Sequence, residues 1–118
     1  MSDDAVGDGE GRLTTDLWVS AHRRVAEAQG VPMMVVRRGD RERGTVLLKI
    51  NRLDGTSSVL TQIRHLGQLA WSRGTGADPV PEAEADRYIE RQTRFDPDLW
   101  VIEVEDRQGR PWFEGRIV

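Results

Sequence analysis

Apolar residues near the start of the chain recur at the spacing of an α-helix. The spacing predicts a helix from Thr15 to Gln29 whose single apolar stripe faces the core. Thr14 or Thr15 can cap its first turn, and Asp16 places a carboxylate where the helix dipole favours one. Gly30 marks its end, because glycine adopts the left-handed cap conformation and a proline follows two residues later. The predicted stripe consists of Leu17, Trp18, Ala21, Val25 and Ala28.

Four segments between positions 33 and 72 have the apolar and β-branched pattern of strands. The first two flank a polar connector, Gly39–Gly44, which predicts a hairpin. In the second segment Val46, Leu48 and Ile50 share one face, and the residues between them share the other. Asp54–Gly55 favours a tight turn before the third segment. The predicted strands are 33–38, 45–52, 58–64 and, as the weakest of the four, 69–72.

A second helix is predicted after the glycine- and proline-containing loop 73–81. Pro81 suits the first helical position, and acids dominate the early turns while arginines dominate the later ones. The helix ends near Phe95, because Asp96 precedes a proline and therefore leaves the helical region. Its predicted buried stripe is Ala85, Tyr88, Ile89 and Phe95. A strand at 99–105 and a short edge strand at 111–114 follow.

The element order is therefore α-β-β-β-(β)-α-β-(β), which predicts a two-layer α+β fold. We expect a mostly antiparallel sheet of 4–6 strands with both helices on one face, burying Trp18 and Trp100 beneath them. Residues 13–118 form one globular domain in this prediction. Residues 1–12 have no apolar periodicity, are acidic and glycine-rich, and are expected to be a disordered tail.

Composition excludes several kinds of site. The chain has 118 residues, no cysteine and only two histidines, which excludes disulfides, thiol nucleophiles and multi-histidine metal sites. No apolar run approaches the roughly 20 residues that cross a bilayer. The acidic start is the opposite of a signal peptide, so a cytoplasmic protein is expected.

Charge is distributed unevenly along the chain. Residues 1–11 carry four acids and no base, residues 12–73 carry eleven bases against five acids, and residues 74–118 carry six bases against eleven acids. Only one of the seventeen basic residues is a lysine. The preference for arginine over lysine suits recognition of carboxylates and phosphates. A GC-rich genome, which encodes arginine by default, explains the same preference.

Arginines around the first hairpin are one candidate binding site. A basic hairpin tip can grip the phosphates of a nucleotide or nucleic acid, although a solvated loop with local pairs to Asp40 and Glu42 explains the same residues. An isoelectric point near 5.4 and the absence of aromatic–basic interleaving argue against nucleic acid without excluding it. The candidates are Arg37, Arg38, Arg41, Arg43 and Arg52.

An acidic group near the end of the chain is a second candidate, and it consists of Asp96, Asp98, Glu103, Glu105 and Asp106. Glu103 and Glu105 would share a strand face about 6.6 Å apart, a distance at which two carboxylates can exchange protons or hold Mg²⁺. Exposed strands carry such pairs routinely, and Asp96 and Asp98 are explained by the end of the helix and the turn after it. We therefore predict no catalytic residue, no metal site and no cofactor.

Tryptophan is abundant, with four in the chain. Trp18 and Trp100 are predicted in the core, whereas Trp71 and Trp112 lie in weak strands and could be half-exposed. Half-exposed tryptophans beside arginines are typical of protein interfaces. Trp71 and Trp112 are therefore candidate contacts for a partner.

Several segments resemble a known family. They are Leu13–Val19 with Arg23 and Arg24, Val35–Asp40, Lys49–Gly55 and above all Arg94–Arg107. Together they resemble a bacterial family, mainly alphaproteobacterial, that is catalogued as domain of unknown function 1491. The resemblance covers about residues 12–115 and implies a stand-alone cytoplasmic protein, but it supplies no activity, cofactor or site residue.

The sequence favours a non-enzymatic binding or adaptor domain that acts through contacts with an unknown protein partner. The partner can be a second copy of the chain, and no membrane contact is expected. The alternative is a nucleotide or nucleic-acid binder that uses the arginine-rich hairpin. An enzyme is a third hypothesis, which the sequence favours less.

Overall fold

Two helices and seven strands make up residues 13–118, which are the residues that the computed structural model describes. The predicted disordered tail, residues 1–12, lies outside the described residues. The helices are α1 (Thr15–Ala28) and α2 (Glu82–Phe95). The strands are β1 (Met33–Arg37), β2 (Val46–Asn51), β3 (Thr56–His65), β4 (Gln68–Arg73), β5 (Val80–Pro81), β6 (Trp100–Glu105) and β7 (Arg116–Ile117).

Local sequence explains where each helix begins and ends. The Thr14 hydroxyl accepts a hydrogen bond from the backbone N–H of Leu17 at 3.3 Å, which caps α1 as predicted. Gly30 follows α1 with a φ of 79°, the left-handed conformation expected at a helix end. Pro81 is the N-cap of α2 rather than its first helical residue, and Asp96 ends α2.

The strands form one mixed sheet in the order β1-β6-β2-β3-β4-β7, with β5 paired to the start of β3. Four of the pairings are antiparallel, but β2 pairs with β6 and β4 pairs with β7 in parallel. The α+β class is therefore confirmed, and the sheet is larger and less antiparallel than predicted. The difference arises because α2 connects the β3–β5 region back to β6, which enters the sheet between β1 and β2.

The two helices lie on opposite faces of the sheet, so the prediction that both cover one face is wrong. Trp18 and Val19 of α1 pack in one core cluster with Leu48, whereas Ala85 of α2 packs in another with Leu47. Consecutive residues of a strand point to opposite faces. The central strands β2 and β6 are apolar on both faces, and each face therefore needs its own helix.

The predicted stripe of α1 is also largely wrong. The helix buries Trp18, Val19 and Ala26, while Leu17 and Val25 are 57% and 60% exposed. In α2, Ala85 is buried as predicted, but Phe95 is 84% exposed.

All four tryptophans pack in or against the core cluster on the α1 side of the sheet. Trp18 and Trp100 are buried as predicted, but Trp71 is completely buried, so its predicted half-exposure is wrong. Trp112 is partly buried against the α1 side of the core. Residues 111–114 do not form the predicted edge strand, because Trp112 has a left-handed φ of 62° and the chain pairs with β4 only at Arg116–Ile117.

Candidate functional site

Strands β1 and β2 do not form the predicted hairpin, because β6 lies between them in the sheet and pairs with both. Of the arginines predicted there, Arg37 has a structural role. The Arg37 guanidinium donates hydrogen bonds to the backbone carbonyls of Pro97 and Leu99, at 3.0 and 2.6 Å. These carbonyls belong to the connection between α2 and β6, which Arg37 therefore fixes against β1. A ligand would have to displace both hydrogen bonds to use this side chain.

Arg38 and Arg41 share one carboxylate at the start of α1. Asp16 accepts from Nη2 of Arg38 at 3.4 Å and from Nε of Arg41 at 3.1 Å. The Arg38 guanidinium also lies 5.0 Å from the centre of the Trp100 ring. Both arginines are largely exposed, so the two ion pairs contribute little stability, but they cancel part of the local positive charge.

The loop that carries Arg41 and Arg43 is ordered by backbone contacts. The N–H groups of Thr15 and Asp16, in the first turn of α1, donate to the carbonyls of Glu42 and Arg41. The Asp40 carboxylate accepts from the N–H groups of Glu42 and Arg43, as in an Asx turn. The Arg43 guanidinium is exposed and forms no ion pair within residues 13–118. Among the described residues, Asp16 thus pairs with two of the arginines, and Asp40 stabilises the backbone of the loop.

Arg52 lies apart from the other four arginines, at the opposite end of β2. Its guanidinium lies against Gly109, in the turn after β6, so closely that a side chain at 109 would collide with it. Its Nε is buried without a hydrogen-bond partner among the described residues. The structure therefore divides the predicted arginine site into a group at the β1–β2 connection and a separate contact of Arg52 with Gly109.

The predicted acidic group is divided as well. Asp96 and Asp98 lie just before β6, where the Asp96 carboxylate accepts from the N–H of Asp98 at 3.0 Å and so stabilises the turn. Glu103 and Glu105 lie further along β6, on the face that α2 covers. No group of three or more potential metal ligands occurs in the part of the chain that the structure describes.

Lys49 organises a polar cluster that the sequence analysis did not identify. This lysine is 5% exposed, and its Nζ donates to Glu82 and Asp86 of α2 at 2.8 Å each. Glu103 lies 3.6 Å from the same atom and also accepts from the Asn51 amide at 3.0 Å. Burial alone would lower the pKa of Lys49, but the hydrogen bonds and the charges of the acids outweigh it, so the pKa is raised.

The Lys49 cluster fixes α2 on the sheet and does not form an obvious reactive site. A lysine with a raised pKa stays protonated, so it is neither a nucleophile nor a base at neutral pH. The sequence contains one clue to the cluster: the only lysine of the chain lies within the otherwise apolar run 46–50.

Asp106 forms a second saturated polar cluster, beside Trp112. Its carboxylate accepts from Nε of Arg110 at 2.8 Å, from Nε1 of Trp112 at 2.7 Å and from the N–H of Gln108 at 2.9 Å. Burial alone would raise the pKa of Asp106, but these hydrogen bonds and the arginine charge outweigh it and the pKa is lowered. Trp112 is therefore anchored through its indole N–H, and Arg110 covers its ring at 5.1 Å.

The outer side of α1 presents the apolar surface that best suits a partner. Leu17, Ala21 and Val25 are all exposed and are spaced four residues apart, and we call this set the α1 ridge. Most exposed apolar side chains of a protein are scattered singly and need no explanation. These three instead form a continuous row on a rigid element whose opposite side is anchored by Trp18.

Other exposed apolar residues are dispersed over the molecule. Phe95 ends α2, Val36 lies in the edge strand β1, and Leu66 occupies the tight turn between β3 and β4. None of the helices in residues 13–118 is long and apolar enough to cross a membrane.

The fold and its surfaces define a class of small α+β domains in which one mixed sheet carries a helix on each face. The family model described as a protein of unknown function, DUF1491, matches residues 13–114. The chain therefore belongs to the DUF1491 family, as its sequence motifs suggest. No curated protein matches it.

Solved structures of similar proteins have the same fold. A crystal structure of a DUF1491 family protein from Caulobacter crescentus is 36% identical, with a TM-score of 0.77, over 90% of this chain and 97% of that one. An NMR structure of a DUF1491 family protein from the same organism is 37% identical, with a TM-score of 0.76, over 90% and 96%. A solution structure of a protein from A. tumefaciens, 23% identical with a TM-score of 0.72, covers 86% and 92% and shows the fold alone.

Proposed function

We propose that this protein is a non-enzymatic binding domain of the cytoplasm whose partner protein packs on the α1 ridge. The exposure of Leu17 and Val25 in one row is the observation that carries the proposal. The titratable clusters support it indirectly, because Lys49 and Asp106 are already saturated by their own neighbours.

The spacing of the ridge suits a helix as the contacting element. Residues four apart form the ridges that interdigitate in the commonest class of helix packing, at a crossing angle of about −50°. Ala21 lies between the two larger side chains of the ridge. A small residue at that position lets a partner helix approach closely while Leu17 and Val25 fill the grooves on either side of it.

Exposed arginines beside the α1 ridge indicate which charge the partner carries next to its apolar contact surface. Arg24 is exposed, directly precedes Val25 and forms no ion pair within the described residues. Arg41, near the first turn of the same helix, is 81% exposed even with its contact to Asp16. The surface therefore suits an amphipathic helix with an apolar face and acidic flanking residues. A second copy of this chain is one candidate for such a partner.

Affinity capture from the cells that produce the protein tests the proposal. Leu17→Asp combined with Val25→Asp should abolish capture of the partner, because two charges would be buried in the contact. Phe95→Asp is the control, since it removes an even more exposed apolar side chain from the other helix. Capture that survives the α1 double variant, or that is lost equally in the control, contradicts the proposal.

Two further measurements address the alternatives. Light scattering of the purified protein determines whether the partner is a second copy, because a dimer would return to a monomer in the α1 double variant. A gel-shift titration with RNA and DNA at 50 mM salt tests the arginines of the β1–β2 connection, with Arg41→Glu and Arg43→Glu as the variants. Salt-sensitive binding that both changes abolish would favour nucleic acid over the α1 ridge.

A further inference from the structure

A segment near the end of the chain covers the aromatic part of the α1 core. We call this segment, Phe113–Val118, the covering segment. Its first residue is 7% exposed and contacts three rings. Phe113 stacks on His22 with ring centres 4.6 Å apart and meets Trp18 and Trp71 edge-on at 5.2 and 5.7 Å. The segment therefore fills a groove between α1 and β4.

The groove also recognises the two residues after Phe113. The Glu114 carboxylate accepts from Nε1 of Trp18 at 2.9 Å, and its backbone carbonyl accepts from Nε1 of Trp71 at 2.8 Å. A Cβ at Gly115 would lie 2.8 Å from Nε1 of Trp71, so only glycine fits there without displacement. These contacts select a large ring, an acid and a glycine in succession.

The backbone of the covering segment is held by a short pairing. Strand β7 pairs with β4 at only two positions, Ala70 with Arg116 and Trp71 with Ile117. The N–H of Val118 donates to the carbonyl of Trp71 at 2.9 Å. Most of the specific contact is therefore made by side chains of the groove, which are available to any copy of the same segment.

The connection to the covering segment is strained at its last residue. Trp112 has a φ of 62°, a left-handed conformation that costs free energy for a bulky residue other than glycine. The preceding residues 107–110 include an exposed turn with Gly109, also at positive φ. A strained connection favours exchange of the segment that follows it between copies, because opening the connection relieves the strain.

We propose that the covering segment exchanges between two copies of the chain, so that the groove of each copy binds Phe113–Val118 of the other. Every contact within the groove is then preserved, because the donated segment has the same sequence. Trp112 acts as the hinge and leaves the left-handed region as the connection extends. The resulting contact is reciprocal and closes at two chains.

Engineered cysteines test the exchange directly, since the chain has no cysteine of its own. Ala70→Cys and Arg116→Cys are placed in separate chains and the purified proteins are mixed at rising concentration under mild oxidation. Paired residues of adjacent strands lie about 4.8 Å apart, which is within disulfide range. We expect a covalent heterodimer whose fraction rises with concentration, and a several-fold smaller fraction when Trp112→Gly relieves the strain.

Two controls make the outcome decisive. Ser20→Cys, exposed on α1, replaces Arg116→Cys to measure random coupling, and a chain carrying both Ala70→Cys and Arg116→Cys measures coupling within one molecule. Coupling inside the double-cysteine chain without coupling between the single variants overturns the proposal. A strictly monomeric mass by light scattering up to millimolar concentration overturns it as well.

Discussion

Leu17 and Trp18 are neighbours in the chain but face opposite environments. Trp18 is 6% exposed, stacks on Trp71 with ring centres 6.4 Å apart and donates its indole N–H to Glu114, whereas Leu17 is 57% exposed. The two residues mark the inner and outer sides of α1. The inner side anchors the helix, so the partner proposed for the outer side would not require reorganisation of the core.

We expect substitutions at these two residues to differ strongly in their effect on the free energy of unfolding. Trp18→Ala should lower the free energy of unfolding by about 3–5 kcal/mol, because it empties a large core site. Leu17→Asp should change it by no more than about 0.5 kcal/mol, since the side chain is exposed. Chemical denaturation at neutral pH measures both values. A loss of several kcal/mol in Leu17→Asp would mean that the α1 ridge is part of the core.

We expect the stabilisation contributed by Lys49 to be lost in alkali. Its folded pKa is raised above the ordinary 10.5, so the ammonium stabilises the fold below that pH and the stabilisation is lost as pH rises through the folded pKa. Lys49→Met should lower the free energy of unfolding at pH 7 by about 2 kcal/mol, because the three acids lose their common partner and two of them are partly exposed.

Denaturation between pH 8 and pH 12 distinguishes this account from a general alkaline effect. The difference in stability between wild type and Lys49→Met should shrink at the upper end of that range. Glu82→Gln is the control, with a smaller loss at pH 7, because Lys49 keeps Asp86 and Glu103. A constant difference across the range would show that the charge of Lys49 contributes nothing.

We expect the stabilisation contributed by Asp106 to be lost in acid. Its folded pKa lies below the ordinary 3.8, so its contribution is present above that pH and is lost as pH falls through the folded pKa. Asp106→Asn should be less stable than wild type by about 1–3 kcal/mol at pH 7, since bonds to a charged acceptor are lost. Thermal unfolding from pH 7 to pH 2 should show the two proteins converging, and parallel curves would refute this role.

We expect a side chain at position 115 to destabilise the protein through its contact with Trp71 and not only through the positive φ of the backbone there. Gly115→Ala should destabilise the protein by about 2 kcal/mol or more and loosen the covering segment, because its methyl group meets Trp71. Gly76→Ala is the matched control, since Gly76 also has a positive φ but nothing within 4 Å of a new Cβ. Denaturation and proteolysis after Arg116 compare them, and equal effects would exclude a specific role for the Trp71 contact.

Periodicity predicted most elements of this fold because their signals are local. Both helices, the alternation along β2 and the burial of Trp100 follow from spacing, caps and turns in the sequence itself. The side of the sheet on which a helix lies is not a local property. The apolar residues Leu47 and Val101 on the second face of β2 and β6 were the available indication that both faces are covered.

The candidate sites were harder to predict because they depend on distant residues. α1 has two apolar rows, and only its tertiary contacts decide that Trp18 and Ala26 are buried while Leu17 and Val25 are not. Likewise, the Arg37 guanidinium donates its hydrogen bonds to backbone carbonyls sixty and sixty-two positions away, and no spacing near residue 37 predicts these contacts. Trp71 is buried because the covering segment lies over it.

Photo-crosslinking in the producing cells tests the binding role of the α1 ridge most directly. A photoreactive phenylalanine derivative replaces Leu17 or Val25 and, as control, Phe95, which is more exposed than either. The ridge positions should each yield one discrete adduct to the same polypeptide, and the control position should yield none. Equal adducts from all three positions, or no adduct from the ridge, would contradict the account.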